Sequence, residues 1–254
     1  MKSNPTLIFA GIIPARFAST RFPGKPLADI LGKPMIRRVY EKAKKVFETV
    51  YVATDDKRIF DAVINFGGNA IITSTSHKSG TDRCAEAVEI IQKSLNKKID
   101  AVVNIQGDEP FIAEEQLQQI KQLFADSSTQ IATLIKPFAD DEDIFQPDRP
   151  KVVVSNTNEA LYFSRSPIPF IRNSEKETWQ KQFTFFKHIG LYAYRTEILK
   201  QLAALPQGKL EKAESLEQLR WLENGYKIKV AQTNIENHAV DTPEDLIRLI
   251  NIYR

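Results

Sequence analysis

Short apolar runs rich in β-branched residues alternate with segments of helical period along this chain, and that alternation restricts the fold more than any other feature. Runs at 7–13, 50–53, 70–72, 101–105 and 131–134 read as strands. The intervening segments 35–45, 58–66, 82–95 and 114–124 read as helices; in the third, Ala85, Val88, Ile91 and Leu95 recur at helical spacing. Strands that are apolar throughout and separated by helices build a parallel sheet covered on both faces. At 254 residues, 42% hydrophobic and 26% charged, the chain is long and apolar enough for one α/β domain with a substantial core.

The pattern changes after Pro137. Residues 138–149 are acidic and read as a loop, 151–155 and 160–163 as two strands joined by a turn at 156–158, and 172–181 as a polar stretch. Alternation resumes with a strand at 188–194, helices at 196–202 and 213–224, and a strand at 227–232. A last helix follows Asp241, with Thr242 as N-cap and Pro243 at its first position. This order implies a single domain, 1–254, with a lobe inserted at approximately 150–190. The apolar, proline-bearing segment 163–170 can serve a dimer contact or cover the lobe's own core.

Composition removes several function classes. Thirty-five basic and 32 acidic residues leave a net charge of +3, too balanced for a general nucleic-acid binder, so any anion site is built locally. Cys84 is the single cysteine, which excludes an intramolecular disulfide and a zinc site of paired thiolates. His77, His188 and His238 show no HExxH spacing, and no apolar run approaches a membrane span. The apolar amino-terminal stretch runs into a charged loop without a small-residue cleavage site, so it reads as a first strand and not a signal peptide. A reduced, cytoplasmic setting is expected.

The loop after that strand holds Arg16, Arg21 and Lys25 among Ser19, Thr20 and Gly24. Loops at the carboxyl ends of parallel strands are where open α/β sheets bind ligands, and clustered Arg and Lys suit a polyphosphate. The loop fits neither the Walker A nor the GxGxxG pattern. A second motif, NIQGDEP, ends the strand at 101–105 and sets Asp108 beside Glu109. Alone it reads as an Asp-containing turn; beside a phosphate loop, Asp108 suits Mg2+. A third, VDTPEDL, offers Asp241 as a second magnesium ligand or as a capping acid. SGTDR places Ser79 and Arg83 at a helix start, while Asp55 and Asp56 read as caps of the helix beginning near Lys57. Arg165, Arg172, His188, Tyr192, Glu217 and Gln218 together could recognise a polyhydroxylated carboxylate, although His188 and Tyr192 also read as core residues and Glu217 as a surface acid.

In order and spacing, PARFASTRFPGKPL, ATD, SGTDR, NIQGDEP, ALYFSRSPIP, HIGLYAYR, LEQLR and VDTPEDL resemble the 3-deoxy-manno-octulosonate cytidylyltransferases (CMP-KDO synthetases) over nearly the whole chain. Ala193 departs from the glycine expected of that family. The resemblance implies a Rossmann-like nucleotidyltransferase core, a mostly parallel sheet with helices on both faces, plus a small inserted dimerisation and sugar-binding lobe. It implies a cytoplasmic homodimer, neither nucleic-acid- nor membrane-bound. It would use Mg2+, CTP and KDO to make CMP-KDO and pyrophosphate for lipopolysaccharide. By position, Arg16, Ser19 and Lys25 match the triphosphate loop, with Arg21, Ser79 and Arg83 in support. Asp108 and Asp241 match the metal ligands, and with Lys25 the catalytic set. Gln106, Arg165, Arg172, His188, Tyr192, Glu217 and Gln218 match the sugar side. The alternatives are a sialic-acid cytidylyltransferase and a non-catalytic nucleotide-sensing module.

Overall fold

In a computed structural model, which describes residues 7–18 and 20–253, the strands and helices follow the alternation closely. In chain order they are β1 (Phe9–Ala15), β2 (Asp29–Ile30), β3 (Lys33–Pro34), α1 (Met35–Val46), β4 (Thr49–Thr54), α2 (Lys57–Asn65), β5 (Ala70–Ile72), α3 (Gly80–Leu95), β6 (Ala101–Asn104) and α4 (Glu114–Gln122). Then come β7 (Ile131–Pro137), β8 (Lys151–Val154), β9 (Ala160–Ser164), α5 (Trp179–Gln182), β10 (Phe186–Arg195), α6 (Thr196–Ala204), α7 (Lys209–Glu214), α8 (Gln218–Glu223), β11 (Ile228–Gln232) and α9 (Pro243–Ile252).

The chain groups into two compact units, residues 1–118, 193–203 and 237–254, and residues 119–192 and 204–236. In the first unit β1 pairs in parallel with β4 and with β6, and β4 pairs in parallel with β5. The order β6-β1-β4-β5 reverses its winding between β1 and β6. That is a topological switch point, where the loops leaving neighbouring carboxyl ends part and open a crevice. All four residues of β6, and Phe9–Ile13 of β1, are buried. Since successive side chains of a strand point to opposite faces, both faces of this sheet are covered.

The second unit is mixed. β11 runs parallel to β7, while β8 is antiparallel to both β10 and β9. Its aromatic core gathers Phe138, Ile144, Trp179 and Phe185. The Lys187 ammonium is buried there and lies 2.6 Å from Glu142 and 2.7 Å from Glu236, which compensates a charge that could not otherwise be taken out of water.

Two expectations are corrected. The helix expected over 213–224 is two, α7 and α8, broken at Ser215, whose φ is 52°. The Arg165 guanidinium donates to the carbonyls of Glu214 and Ser215, 2.7 and 3.3 Å away. It thereby takes acceptors that a continuous helix would use internally. The polar stretch 172–181 is not featureless either; a 3-10 turn at Lys176–Thr178 leads into α5, which buries Trp179.

Candidate active site

A cavity of about 290 Å³ lies in the first unit, and the loops after β1 and β6 contribute to its wall. The β1 loop is closed on itself. Gly24 N donates to Phe17 O at 3.0 Å, and Gly24 has φ 73°. A Cβ there would stand 3.0 Å from the Phe17 ring, so geometry and space both select glycine. The Arg58 guanidinium covers the same ring at 3.3 Å from its centroid. The 3-10 turn Lys25–Leu27 starts from this glycine.

Lys25 Nζ lies 2.7 Å from Asp108 Oδ2 and 3.4 Å from Asp241 Oδ1. Arg21 Nη2 lies 3.1 Å from the same Asp241 oxygen. The two carboxylates therefore converge on one ammonium although they belong to separate segments. At the β6 tip, a Cβ on Gly107 would come 3.0 Å from Pro14 O, so glycine allows the turn bearing Asp108 to sit against the end of β1. Val240 N donates to Asp108 O at 2.9 Å. Thr242 caps α9 by accepting from Asp245 N, while Asp245 Oδ2 accepts from the Asp241 and Thr242 amides. The cap thus leaves the Asp241 carboxylate to the cavity.

The cavity also gathers Arg16, Ser79, Arg83 and Gln106. Ser79 is the N-cap of α3 in a capping box with Asp82. Arg83 is buried, with Nη2 2.8 Å from Asp55 Oδ2 and Nη1 2.6 Å from Thr73 Oγ1. Asp55 is therefore Arg83's counter-ion and not a helix cap, a correction; Asp56 does cap α2. Ser19 lies outside the described residues. Sequence reasoning passed over His77 and Lys78, which also line the cavity. His77 Nε2 is 2.5 Å from Glu86 Oε2, an oxygen that also accepts from Ser74 N. The signal was the His77-Lys78 pair directly ahead of SGTDR. Among the described residues, five cationic side chains (Arg16, Arg21, Lys25, Lys78 and Arg83) and two carboxylates (Asp108 and Asp241) line this space. That surplus suits a polyanion. Just behind it, Glu109 is buried, and desolvation, with the charge of Asp108 beside it, pushes its carboxyl up to about 8 against the hydrogen bond from Asn237.

The remaining candidates belong to the second unit. His188 lies edge-on to Phe163, 5.1 Å between centroids from Tyr192, and 3.0 Å from Thr133 Oγ1. Tyr192 stands edge-on to Trp221 of α8, at 5.0 Å. Arg165 is held by Glu214, Ser215 and Pro147, and Arg172 is exposed. Glu217 accepts from Arg220, and buried Gln218 opens α8.

Burial holds the His188 imidazole down to about 3, from an ordinary 6.5. The native state keeps it neutral while the unfolded chain takes up a proton below about 6.5. Its contribution is therefore fully present above that pH and lost progressively as pH falls toward 3, by at most about 1.4 kcal/mol per pH unit for one proton. His188→Gln is expected to show a shallower loss of melting temperature on acidification. Parallel melting curves for the two proteins from about pH 6.5 down to about pH 4 would refute this.

The cytidylyltransferase family model matches residues 10–228. A 3-deoxy-manno-octulosonate cytidylyltransferase of Parabacteroides distasonis is 60% identical over 242 residues, covering 94% of this chain and 95% of that one. Another, from Cytophaga hutchinsonii, is 51% identical over 252 residues and covers 98% of each chain. Among solved structures, a CMP:2-keto-3-deoxy-manno-octonic acid synthetase complexed with CTP matches with TM-score 0.87 and 41% identity, covering 97% of this chain and 98% of that one. A 4-diphosphocytidyl-2C-methyl-D-erythritol synthase of Anaerococcus prevotii, at 14% identity and TM-score 0.60 over 97% of this chain and 96% of its own, shares the fold.

Proposed function

This chain belongs to the cytidylyltransferase family, and from that premise we infer that it transfers CMP from CTP to 3-deoxy-manno-octulosonate (KDO) and releases pyrophosphate. The observation that carries the reading is the convergence of Asp108 and Asp241 on Lys25 in a cation-rich cavity at the switch point. The anomeric hydroxyl of KDO attacks the α-phosphorus. A new P–O bond forms there, the bond to the oxygen bridging to the β-phosphate breaks with its electrons leaving on pyrophosphate, and the hydroxyl proton passes to solvent water.

Arg16, Arg21 and Lys25 take the phosphate oxygens, the arginines in forked pairs and the lysine as a point charge. They also meet the charge that grows on pyrophosphate, in a site already organised for it. Ser79 and Arg83 shape the nucleoside wall. Asp108 and Asp241 fit a magnesium ion, because their oxygens meet at one cation-holding point. Among the described residues no cluster of three or more metal-ligating side chains occurs, which leaves the other positions to water and phosphate oxygens, as magnesium prefers. When bound, the ion neutralises phosphate charge and acidifies the attacking hydroxyl.

We assign Gln106, Arg165, Arg172, His188, Tyr192, Glu217 and Gln218 to the acid sugar. A neutral His188, with Nε2 engaged by Thr133 Oγ1, leaves its other ring nitrogen for a sugar hydroxyl. Gln218 Nε2 is buried without a hydrogen-bond partner among the described residues, a donor that a ligand can satisfy. The product serves lipopolysaccharide assembly, and we place the enzyme in the cytoplasm; among the described residues no helix is long and apolar enough to cross a membrane. We also propose a homodimer formed through the lobe at 150–190, where Leu161 and Phe170 are 61% and 72% exposed. Sedimentation showing only monomer at micromolar concentration would remove it.

The decisive experiment is pyrophosphate release over CTP or UTP against KDO, sialic acid and sugar phosphates. Turnover with CTP and KDO is expected. Preference for sialic acid would reassign the substrate, and CTP binding without release from any pair would make the chain a sensor.

A further inference from the structure

Glu109 is a buried carboxyl with no cation paired to it among the described residues. Burying such a group costs more than an apolar side chain of the same volume, so its position calls for a reason. Its Oε2 accepts from Asn237 Nδ2 at 2.5 Å. Asn237 Oδ1 in turn accepts from Gln116 Nε2 at 2.6 Å, and Gln116 Oε1 accepts from Ala113 N at 3.3 Å. The backbone amide thus fixes which way Gln116 faces. Gln116 fixes Asn237, and the Asn237 donor is left pointing at Glu109.

This relay ties the turn that bears Asp108 to the segment that bears Asp241. A backbone bond already links the two, from Val240 N to Asp108 O. One bond leaves a pivot. The second, between the neighbour of Asp108 and a residue three positions before Val240, removes the rotation. The two attachments together fix how far apart the Asp108 and Asp241 carboxylates stand.

We propose that Glu109 and Asn237 are positioning residues that set the separation of the two metal-holding carboxylates. The proposal rests on the reading that Asp108 and Asp241 bind the metal. Outer partners of this kind typically change metal affinity by about 10–100-fold.

The test is Mn2+ binding to the CTP-loaded protein, followed by electron paramagnetic resonance, beside the Mg2+ dependence of turnover. In Asn237→Ala, Mn2+ is expected to bind about 10–100-fold more weakly. The Mg2+ needed for half-maximal rate rises in proportion, while kcat at saturating Mg2+ returns close to wild type. Glu109→Ala behaves alike, and Glu109→Gln, which keeps an acceptor for Asn237, retains wild-type affinity. A merely structural loss would lower the melting temperature without this shift or this rescue. If Glu109→Ala fails to fold, half-buried Asn237 carries the test. Asp241→Ala separates the two levels. Unchanged Mn2+ affinity there overturns the metal reading itself. Loss there with unchanged affinity in Asn237→Ala overturns the relay alone.

Discussion

Replacing Asp108 by alanine is expected to lower kcat by about 10²–10³-fold, the usual cost of removing one preorganised stabilising group, while leaving the protein folded. The fold survives because the structural bond at this position uses the backbone: Val240 N donates to Asp108 O, which alanine keeps. The side chain is 29% exposed and leaves no cavity in the core when truncated. What disappears is one of the two carboxylates that converge on Lys25 in the cavity. Circular dichroism and melting temperature check the fold, and pyrophosphate release with CTP, KDO and Mg2+ reads the loss. Near-normal turnover in magnesium would end the assignment of Asp108.

Lys25→Met is expected to lower kcat/KM for CTP on a similar scale, about 10²–10³-fold. The ammonium is the only group bonded to both Asp108 and Asp241 among the described residues, and methionine keeps most of its length without its charge. Partly exposed ion pairs contribute only about 0–1 kcal/mol, so stability should change little while catalysis changes greatly. Lys25→Arg should rescue poorly. A planar fork cannot replace a point charge lodged between two carboxylates, and the 3-10 turn that aims Lys25 begins at a glycine packed on Phe17. The result that would sink this is a methionine variant whose saturation curve for CTP overlays that of the wild type.

Local sequence carried the sheet, because buried parallel strands are apolar on both faces and the helices between them keep their period. The parallel core strands and the helices α1 to α3 fall within a few residues of their expected ends. β1 is displaced toward its carboxyl end, to Phe9–Ala15, because parallel pairing with β4 extends to Ala15. The break at Ser215 was not legible, since its cause is Arg165, 50 residues away in the chain. Likewise Arg83 reads as a free cation until Asp55 is seen beside it. Motif order gave the loop and both aspartates. That Lys25 stands between them could not be read, because these contacts span 83 and 216 residues. Asn237 belongs to no motif at all; only its reach to Glu109 marks it.

The last helix also bears on how the enzyme comes into being. Leu249, Leu246 and Ile250 pack with Val240, Ile30 and Met35, and with Phe22 from the β1 loop. A polypeptide still on the ribosome therefore lacks the packing behind Phe22, and the Asp241 contact of Lys25, until α9 has emerged. Asp241, the second carboxylate at Lys25, is among the last parts of the cavity to be made.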